Sequence, residues 1–384
     1  MAKKRVLVWE TLAIISGGQK MTLTIMDMLK DHYEFHCLVP AEGMLTEELK
    51  KRGITYTIIG DQTLPTGMKG KQVIFRYGWM SLKIIRRSLG QIKKFKPDIL
   101  YAPGPAALPW SAVCGALVHK PVIWHLHHIF LDGTTKKLLN VCSQWKAVRL
   151  IIAVSNCVAK QIVNDKAHGK VEVLYNPVDV EKYSNGNPQK VFNEIKNYLS
   201  FDMEKKPIII GQVALIQRSK RQDFVISVIA KLRKSGYNAV GLFVGECREP
   251  NYLDELKKKA LSEHLDKYIM FMSRRDDIPD VLKAIDVLMI PSSFEGFPLA
   301  GLEAAAAGVP VAACAIGGAM ELVEISKAGI RYHNDDFKDA AEKVILCVKH
   351  KVELTEAGIG FAKLCSLNMY GQGLVDMFTS VSNS

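Results

Sequence analysis

Residues 293–311 read SFEGFPLAGLEAAAAGVPV, and this segment does most to decide the fold of the 384-residue chain. It follows a short apolar run, which predicts a buried strand. Pro298 suits a first helical turn, where its missing N–H needs no partner, and Gly308 is a suitable residue just past the helix end. The segment therefore predicts a strand, a loop and a helix, with Glu295 in the loop and Glu303 in the helix.

Short apolar runs alternate with longer amphipathic segments along most of the chain. This alternation predicts βαβ crossovers and an α/β fold of parallel sheets covered on both faces. A length of 384 residues with 48% hydrophobic content favours two packed domains. A polar stretch interrupts the alternation near its middle. We therefore predict two doubly wound domains at residues 1–180 and 206–366, a linker at 181–205, and a C-terminal helix at 367–384 that packs back on the first domain.

The positive charge of the chain lies in its first half. Residues 1–200 contain 28 Lys and Arg against 15 Asp and Glu, whereas residues 201–384 contain 23 against 24. This asymmetry suggests that the first half meets an anionic surface, such as phospholipid, nucleic acid or a phosphorylated substrate. A solvated basic face is the alternative.

Cysteine usage and hydropathy indicate the compartment. The eight cysteines are widely spread, without a CxxC pair or metal-ligand spacing, which is typical of reduced thiols in a cytosolic protein. The N-terminus lacks the features of a cleavable signal, and the longest uncharged stretch, 99–118, contains three prolines. The sequence predicts a cytoplasmic protein without a membrane-spanning helix.

The predicted loop and helix start around Glu295 have the chemistry of a phosphate site. Backbone N–H groups of Gly296, Phe297, Leu299 and Ala300 cluster at a helix N-terminus, where a diphosphate is well bound. The alternative is an ordinary strand, loop and helix in which Glu303 is a surface residue.

Two carboxylates eight positions apart resemble the E-x7-E motif of the retaining GT-B glycosyltransferases of the large family four, which use nucleotide sugars. The alanine-rich continuation at 304–311 and the pair Gly317-Gly318 are similar as well. The resemblance implies that Glu303 binds the ribose hydroxyls of the nucleotide. It also implies that Glu295 and the loop residues contact the donor sugar and diphosphate; those loop residues are Gly296, Phe297, Pro298 and Leu299. The fold it implies is GT-B, with two Rossmann-like domains facing each other across a cleft.

Further motifs of that family are found elsewhere in the chain. The pair Gly17-Gly18 looks like the family's glycine pair after the first strand, where the backbone approaches a phosphate. Lys220 matches the family's phosphate-binding lysine, which stabilises charge on the departing diphosphate. The family commonly has an Arg five positions earlier, where this chain has Leu215, and Arg218 is the expected substitute. A plain turn and a solvated basic loop are the alternatives.

Three histidines, His125, His127 and His128, follow the run Val122-Ile123-Trp124. They suggest zinc, but no acidic or thiol ligand follows nearby, so no metal site is predicted. The resemblance implies that His127 faces the donor sugar and the acceptor. Since alternation places His125 on the same face of the strand, the assignment could shift by two residues.

The resemblance implies a retaining, metal-independent hexosyltransferase that needs no cofactor. Its donor is a nucleotide sugar, with UDP-sugars favoured, and its acceptor is a glycan or a lipid-linked sugar in cell-surface polysaccharide or glycolipid synthesis. Three alternatives are a non-catalytic nucleotide-sugar-binding protein, a GT-B sugar-nucleotide epimerase, and a phosphorylase, which is disfavoured because no pyridoxal-binding lysine site is recognisable.

A basic, aromatic-rich segment between Met68 and Pro97 is the densest part of the positive charge. It indicates a surface for an anionic membrane, rather than for nucleic acid, because no recognised binding module frames it. A helix with a solvated back is the alternative. Its nine cations, with no acid among them, are Lys69, Lys71, Arg76, Lys83, Arg86, Arg87, Lys93, Lys94 and Lys96. The hypothesis is a cytoplasmic enzyme that binds peripherally to the inner face of the membrane.

Overall fold

The computed structural model describes residues 3–60, 71–199, 207–292 and 294–382, without the side chains of 71–76. Lys69 and the last residues of the predicted linker lie outside this part. The chain divides into two compact units. The first comprises Met1–Tyr175 and Tyr370–Ser384, and the second comprises Asn176–Met369.

A seven-stranded parallel sheet forms the centre of the first unit, in the order β3-β2-β1-β4-β5-β6-β7. The inner strands are almost wholly apolar and buried, as expected of a sheet covered on both faces. The strands are β1 Lys4–Trp9, β2 Tyr33–Val39, β3 Thr55–Ile58, β4 Ile99–Ala102, β5 Val122–Leu126, β6 Val148–Ala153 and β7 Val171–Val173.

Helices connect these strands. In chain order they are α1 Gly17–Leu29, α2 Met44–Lys51, α3 Lys71–Phe95, α4 Ala107–Val118, α5 Gly133–Ser143, α6 Asn156–Ala159 and α7 Asp165–His168. Most α1 side chains that face the sheet are fully buried, including Ile25 and Leu29. Their spacing of four residues is that of one helix face.

The second unit contains a six-stranded parallel sheet in the order β10-β9-β8-β11-β12-β13. Two helices precede it, α8 Val180–Ser184 and α9 Gln189–Tyr198. The strands are β8 Ile208–Val213, β9 Ala239–Val244, β10 Ile269–Met272, β11 Val287–Ile290, β12 Val311–Cys314 and β13 Gly329–Tyr332. The helices that follow them are α10 Gln222–Lys234, α11 Pro250–Ser262, α12 Ile278–Lys283, α13 Leu299–Ala307, α14 Gly317–Ser326, α15 Phe337–Lys349 and α16 Lys351–Leu364.

The last helix, α17 Leu367–Ser382, belongs to the first unit from Tyr370 onwards. Its Phe378 is fully buried and contacts the rings of Tyr33 and Tyr101, with centroid distances of 5.6 and 5.5 Å. Among the helices of the described residues, none is long and apolar enough to cross a membrane.

The structure places the division of the chain differently from the sequence-based prediction. The first unit ends at Tyr175, and residues 181–199 of the predicted linker lie within the second unit. The reason is that α9 is amphipathic: Val191 and Ile195 are fully buried, and Glu194 is ion-paired with Arg275 at 2.6 Å. The polar face of this helix makes the segment resemble a linker in sequence.

Candidate active site

The segment around Glu295 forms the predicted strand, loop and helix in the second unit. Pro298 is the N-cap of α13 in an extended conformation, and Gly308 ends the helix in the left-handed region at φ 73°. Asn176 fixes the loop, since its side-chain amide donates to the Phe297 carbonyl at 3.2 Å. The first N–H groups of α13 at Leu299 and Ala300 have no partner within the helix, so they are available to an anion.

Glycine is required beside this loop at Gly318. Its N–H donates to the Glu295 carbonyl at 2.8 Å, and a Cβ on it would collide with the Gly296 carbonyl. The preceding Gly317 has a φ of 63°, in the left-handed region. The Gly-Gly pair thus holds the backbone of Glu295 and Gly296 in place.

Glu303 is half-buried on α13, and its carboxylate is held by a tyrosine. The Tyr183 hydroxyl, on α8, donates to Glu303 Oε1 at 2.6 Å. Tyr183 is only 8% exposed, and its burial, together with the negative charge of Glu303, raises the tyrosine's pKa. Sequence reasoning missed Tyr183, because no motif signals a contact between residues 120 positions apart.

Lys220 and Glu295 form an ion pair in the second unit. They meet because β8 and β11 are adjacent in the sheet, and the loops that follow these strands leave the same carboxyl edge where the strand order reverses. Gln212 supports the lysine loop by donating to the Lys220 carbonyl at 2.6 Å. The structure therefore brings together the predicted lysine and the predicted loop carboxylate.

Arg218 lies in the loop of Lys220 but contacts α11. Its guanidinium is ion-paired with Glu255 and lies 5.0 Å from the ring centre of Tyr252. Its side chain is 59% exposed. Arg221 is paired with Asp335 instead, so each arginine is engaged within the second unit.

The glycine pair of the first unit opens α1, directly after Ser16. A Cβ built on Gly17 or on Gly18 would meet no atom within 4 Å, and neither glycine has a positive φ. The described packing therefore does not require glycine at either position. Open space beside the backbone is what the close approach of a ligand needs.

A buried carboxyl group that sequence reasoning missed, Glu10, supports this helix start. The Gln19 amide donates to Glu10 Oε2 at 2.9 Å, and the Ser16 hydroxyl donates to Gln19 Oε1 at 2.5 Å. Burial raises the pKa of Glu10. The sequence signal was present, since Glu10 directly follows the apolar run of β1.

His127 directly follows β5, at the carboxyl edge of the first unit's sheet. The His125 ring is fully buried and shares a hydrogen bond of 2.8 Å with the Tyr101 hydroxyl. The two imidazole centroids are 4.1 Å apart, and burial lowers the pKa of both. His125 is therefore a core residue, while His127 is the partly exposed member of the pair.

We expect His125 to make the first unit sensitive to acid. Burial lowers its pKa from 6.5 to about 3, so the unfolded chain binds the extra proton as the pH falls below 6.5. At pH 5 this amounts to about 2 kcal/mol of lost stability. In His125→Gln, the decrease in unfolding free energy between pH 7 and pH 5 should be smaller by that amount, measured by urea denaturation. His32→Gln, at an exposed histidine, is the control, and an unchanged pH dependence in His125→Gln would refute the assignment.

Within the part of the chain that the structure describes, no group of three His, Cys, Asp or Glu side chains is placed to hold a metal ion. His125 Nδ1 is already engaged by Tyr101. Near the Glu295 loop, the Lys220 ammonium is the group that pairs with the Glu295 carboxylate.

The two units have the architecture of the GT-B glycosyltransferases, since each is Rossmann-like with a parallel sheet. In the second unit a carboxylate, a lysine and a helix N-terminus lie at the sheet edge where the strand order reverses. Residues 196–359 match the family described as Glycosyl transferases group 1, and residues 15–182 match Glycosyltransferase Family 4. Together these matches cover most of the chain. The chain belongs to the group 1 glycosyltransferases, enzymes that use nucleotide sugars.

Curated relatives are similar at low identity. The Escherichia coli UDP-Gal:alpha-D-GlcNAc-diphosphoundecaprenol alpha-1,3-galactosyltransferase is 22% identical over 370 residues, which is 89% of this chain and 87% of the relative. The Rhizobium meliloti lipopolysaccharide core biosynthesis mannosyltransferase LpsB is 31% identical over 172 residues, covering 43% of this chain and 47% of the relative.

Solved structures agree on the fold. Anabaena HepE in complex with UDP has a TM-score of 0.80 at 19% identity, covering 98% of this chain and 100% of that one. The lipopolysaccharide outer core galactosyltransferase WaaB in its apo form has a TM-score of 0.74 at 14% identity, covering 98% and 99%. At these identities the similarity shows the GT-B fold.

Proposed function

We propose that the protein is a retaining, metal-independent hexosyltransferase. It transfers a sugar from a UDP-sugar to a glycan or lipid-linked acceptor. The observation that carries the proposal is the arrangement in the second unit, where Lys220, Glu295 and the start of α13 share one sheet edge and Glu303 is held by Tyr183.

The donor binds to the second unit in this proposal. The Glu303 carboxylate accepts hydrogen bonds from the ribose hydroxyls, and Tyr183 keeps that carboxylate in place. The amides of Gly296, Phe297, Leu299 and Ala300 face the diphosphate at the positive end of α13, with Pro298 setting the helix start. Glu295 contacts the hydroxyls of the sugar.

Lys220 supplies the charge that the leaving group needs. When the bond between the anomeric carbon and the diphosphate oxygen breaks, negative charge develops on the phosphate, and a fixed ammonium stabilises it. In the free protein this ammonium is paired with Glu295. This pair holds the lysine in place before the substrate arrives. When the donor binds, the diphosphate replaces Glu295 as the partner of the ammonium.

The configuration at the anomeric carbon is retained if the acceptor oxygen attacks the face from which the diphosphate leaves. The new bond forms at the anomeric carbon, and the acceptor proton passes to the departing phosphate oxygen. Gly17 and Gly18 contribute backbone N–H groups to the diphosphate, and His127 contacts the transferred sugar. Arg218 is a further donor contact, reached by releasing Glu255.

The names of similar proteins support UDP as the nucleotide. The Escherichia coli relative uses UDP-Gal, and the Anabaena structures hold UDP, UDP with glucose, and UDP-glucose. The same relative acts on a diphosphoundecaprenol-linked sugar, which supports a lipid-linked acceptor.

A panel of nucleotide sugars tests this function. We expect UDP-hexoses to raise the melting temperature more than GDP- or ADP-sugars, because a ligand at 100 times its Kd adds roughly 2.7 kcal/mol. UDP release should continue in excess EDTA. Loss of release with EDTA would argue for a metal-dependent enzyme, conversion of the donor to an epimer would argue for an epimerase, and binding without release would argue for a binding protein.

The exposed face of α3 supports peripheral binding to an anionic membrane. Trp79 and Leu82 are 63% and 65% exposed, and exposed cations continue at Lys83, Arg86, Lys93 and Lys94. Spacings of three, four and seven residues place these side chains along one stripe of the helix. We propose that the apolar end inserts between headgroups while the cations contact anionic lipid.

Vesicle binding tests the membrane proposal. Changing Lys83, Arg86, Lys93 and Lys94 to Ser should reduce sedimentation with anionic vesicles at least about tenfold, since each cation contributes about 1 kcal/mol. Arg87 is left intact because its guanidinium donates to the Ile59 carbonyl at 2.9 Å. The matched control changes Lys30, Lys136, Lys137 and Lys160, all exposed. Donor hydrolysis should be nearly unchanged, and equal binding by the two variants would refute the proposal.

A further inference from the structure

A cavity of about 710 Å³ lies in the first unit, at the sheet edge opposite to the carboxyl edge. The residues that line it include Lys4, which begins β1, Asp98 before β4, and Pro121 before β5. The end of α4 and the last turn of α17 complete its wall. No residue proposed for the donor or for catalysis lines it.

Three of the cations that line this cavity make no described side-chain contact that stabilises the fold. Lys120, Lys146 and Arg149 all belong to the lining, and none forms a hydrogen bond or ion pair through its side chain with any residue that the structure describes. Lys146 and Arg149 are exposed, and Lys120 is partly exposed. Exposed lysines without a described side-chain partner occur elsewhere in the first unit as well, as at Lys30 and Lys136. What distinguishes Lys120, Lys146 and Arg149 is that they line one cavity together.

Two other lysines at this edge, Lys4 and Lys170, have a structural role because they bind carbonyl groups at helix ends. Lys4 Nζ donates to the Ser382 carbonyl at the end of α17 at 3.2 Å. Lys170 Nζ donates to the carbonyls of Ser143 and Trp145, at the end of α5, at 3.0 and 2.9 Å. Such contacts neutralise helix C-termini. Lys120, Lys146 and Arg149 make no such contact with a helix end among the described residues.

Positive side chains outnumber negative ones among the described residues that line the cavity. Asp98 is the one acidic residue in the described lining, and its Oδ2 already accepts from the Arg5 N–H at 2.8 Å. Burial, and then the charge of Arg149, lower the pKa of Lys170. Among the described lining residues the cations therefore outnumber the one carboxylate, and an anionic ligand would balance this charge.

We propose that this cavity binds the phosphate group of an organic phosphate, at a site separate from the donor site. A phosphate carries a charge of about −1.5 to −2 at neutral pH, which matches Lys120, Lys146 and Arg149. The Arg149 guanidinium offers two parallel donors suited to phosphate oxygens. A volume of about 710 Å³ is in the range of small-molecule sites, and Trp145 in the lining offers an apolar surface to the remainder of the ligand.

Titration with glycerol 3-phosphate tests the site, with inorganic phosphate as a second probe and glycerol as the neutral control. The parent chain should bind glycerol 3-phosphate at low ionic strength. Changing Lys120, Lys146 and Arg149 together to Ser should weaken binding at least about tenfold, because charge-assisted hydrogen bonds are lost. The matched variant changes the exposed Lys30, Lys136 and Lys137, which removes the same charge, and should bind within about twofold of the parent.

The donor site is separated from this result by repeating the titration in Lys220→Ala. Binding in the cavity should persist in that variant, whereas binding that disappears there belongs to the donor site and overturns the proposal. Equal binding by the parent and the cavity variant overturns it as well. Circular dichroism and melting temperature confirm that each variant is folded.

The same variants distinguish the two sources of an organic phosphate. If the cavity binds a lipid headgroup, its triple variant should sediment less with phosphatidylglycerol vesicles than the parent does, while the matched variant sediments as the parent does. If it binds a free phosphorylated compound, both variants should sediment as the parent does, and only the titration should differ. A triple variant unchanged in both measurements refutes the site.

Discussion

Replacing Lys220 with alanine is expected to lower turnover of the nucleotide sugar by about 10²- to 10³-fold, the loss typical of removing one preorganised group from a developing negative charge. The ammonium is held at the switch point of the second unit by Glu295 and by the loop that Gln212 supports. Its absence leaves the leaving diphosphate without that charge, while the nucleoside contacts remain. UDP release from a UDP-hexose, followed by 31P NMR, measures the effect.

Two companion variants sharpen this prediction. Lys258→Ala removes an exposed lysine of α11 and should leave turnover unchanged. Glu295→Gln should also lower turnover, and combining it with Lys220→Ala should cost less than the two single losses together, because the residues form one pair. Wild-type turnover in Lys220→Ala would refute its role, and strict additivity would show that the pair does not act as a unit.

Replacing Glu303 with glutamine is expected to weaken UDP binding about 10- to 100-fold. Hydrogen bonds to a charged group contribute about 1.5–3 kcal/mol, and each 1.4 kcal/mol is a factor of about ten in Kd. Turnover at saturating donor should change much less, because the ribose is remote from the reacting carbon. Calorimetric titration with UDP measures the change, with Glu342→Gln, at an exposed glutamate of α15, as the control.

Tyr183→Phe separates positioning from binding at the same carboxylate. The phenylalanine keeps the buried ring but loses the hydroxyl that donates to Glu303 Oε1 at 2.6 Å. We expect UDP binding to weaken by less than in Glu303→Gln. In a Glu303→Gln background the tyrosine change should have little further effect. An equal loss in both backgrounds would show that Tyr183 acts independently of Glu303.

The elements that define the candidate site could be predicted because their signals are local. Pro298 and Gly308 mark the two ends of α13, and Glu295 and Glu303 take their places from those ends. The adjacency of β8 and β11 follows from the doubly wound topology, which brings Lys220 to Glu295. The positions of Glu295 and Glu303 therefore follow from local helix-end signals, and the position of Lys220 follows from the strand order.

The features that the sequence did not predict mostly depend on contacts between residues far apart in the chain. Tyr183 meets Glu303 across 120 positions of sequence, and α9 packs on the second unit through an apolar face only two buried residues wide. The helix α5 was not predicted, because its two threonines and two lysines weaken the apolar periodicity, although Asp132 is a suitable N-cap whose side chain accepts from the Thr135 N–H. The ion pair of Arg218 with Glu255 likewise had no signal in either segment.

The most direct test of the central claim is the release of UDP from a UDP-hexose in excess EDTA, with the anomeric form of the first sugar released followed by proton NMR. The account predicts that UDP appears without a metal ion, that the α-linked donor first yields the α-anomer, and that Lys220→Ala suppresses the release. Release of the β-anomer would contradict retention. Tight binding of UDP without any release from the donors would contradict the assignment of the second unit as the donor site of a working transferase.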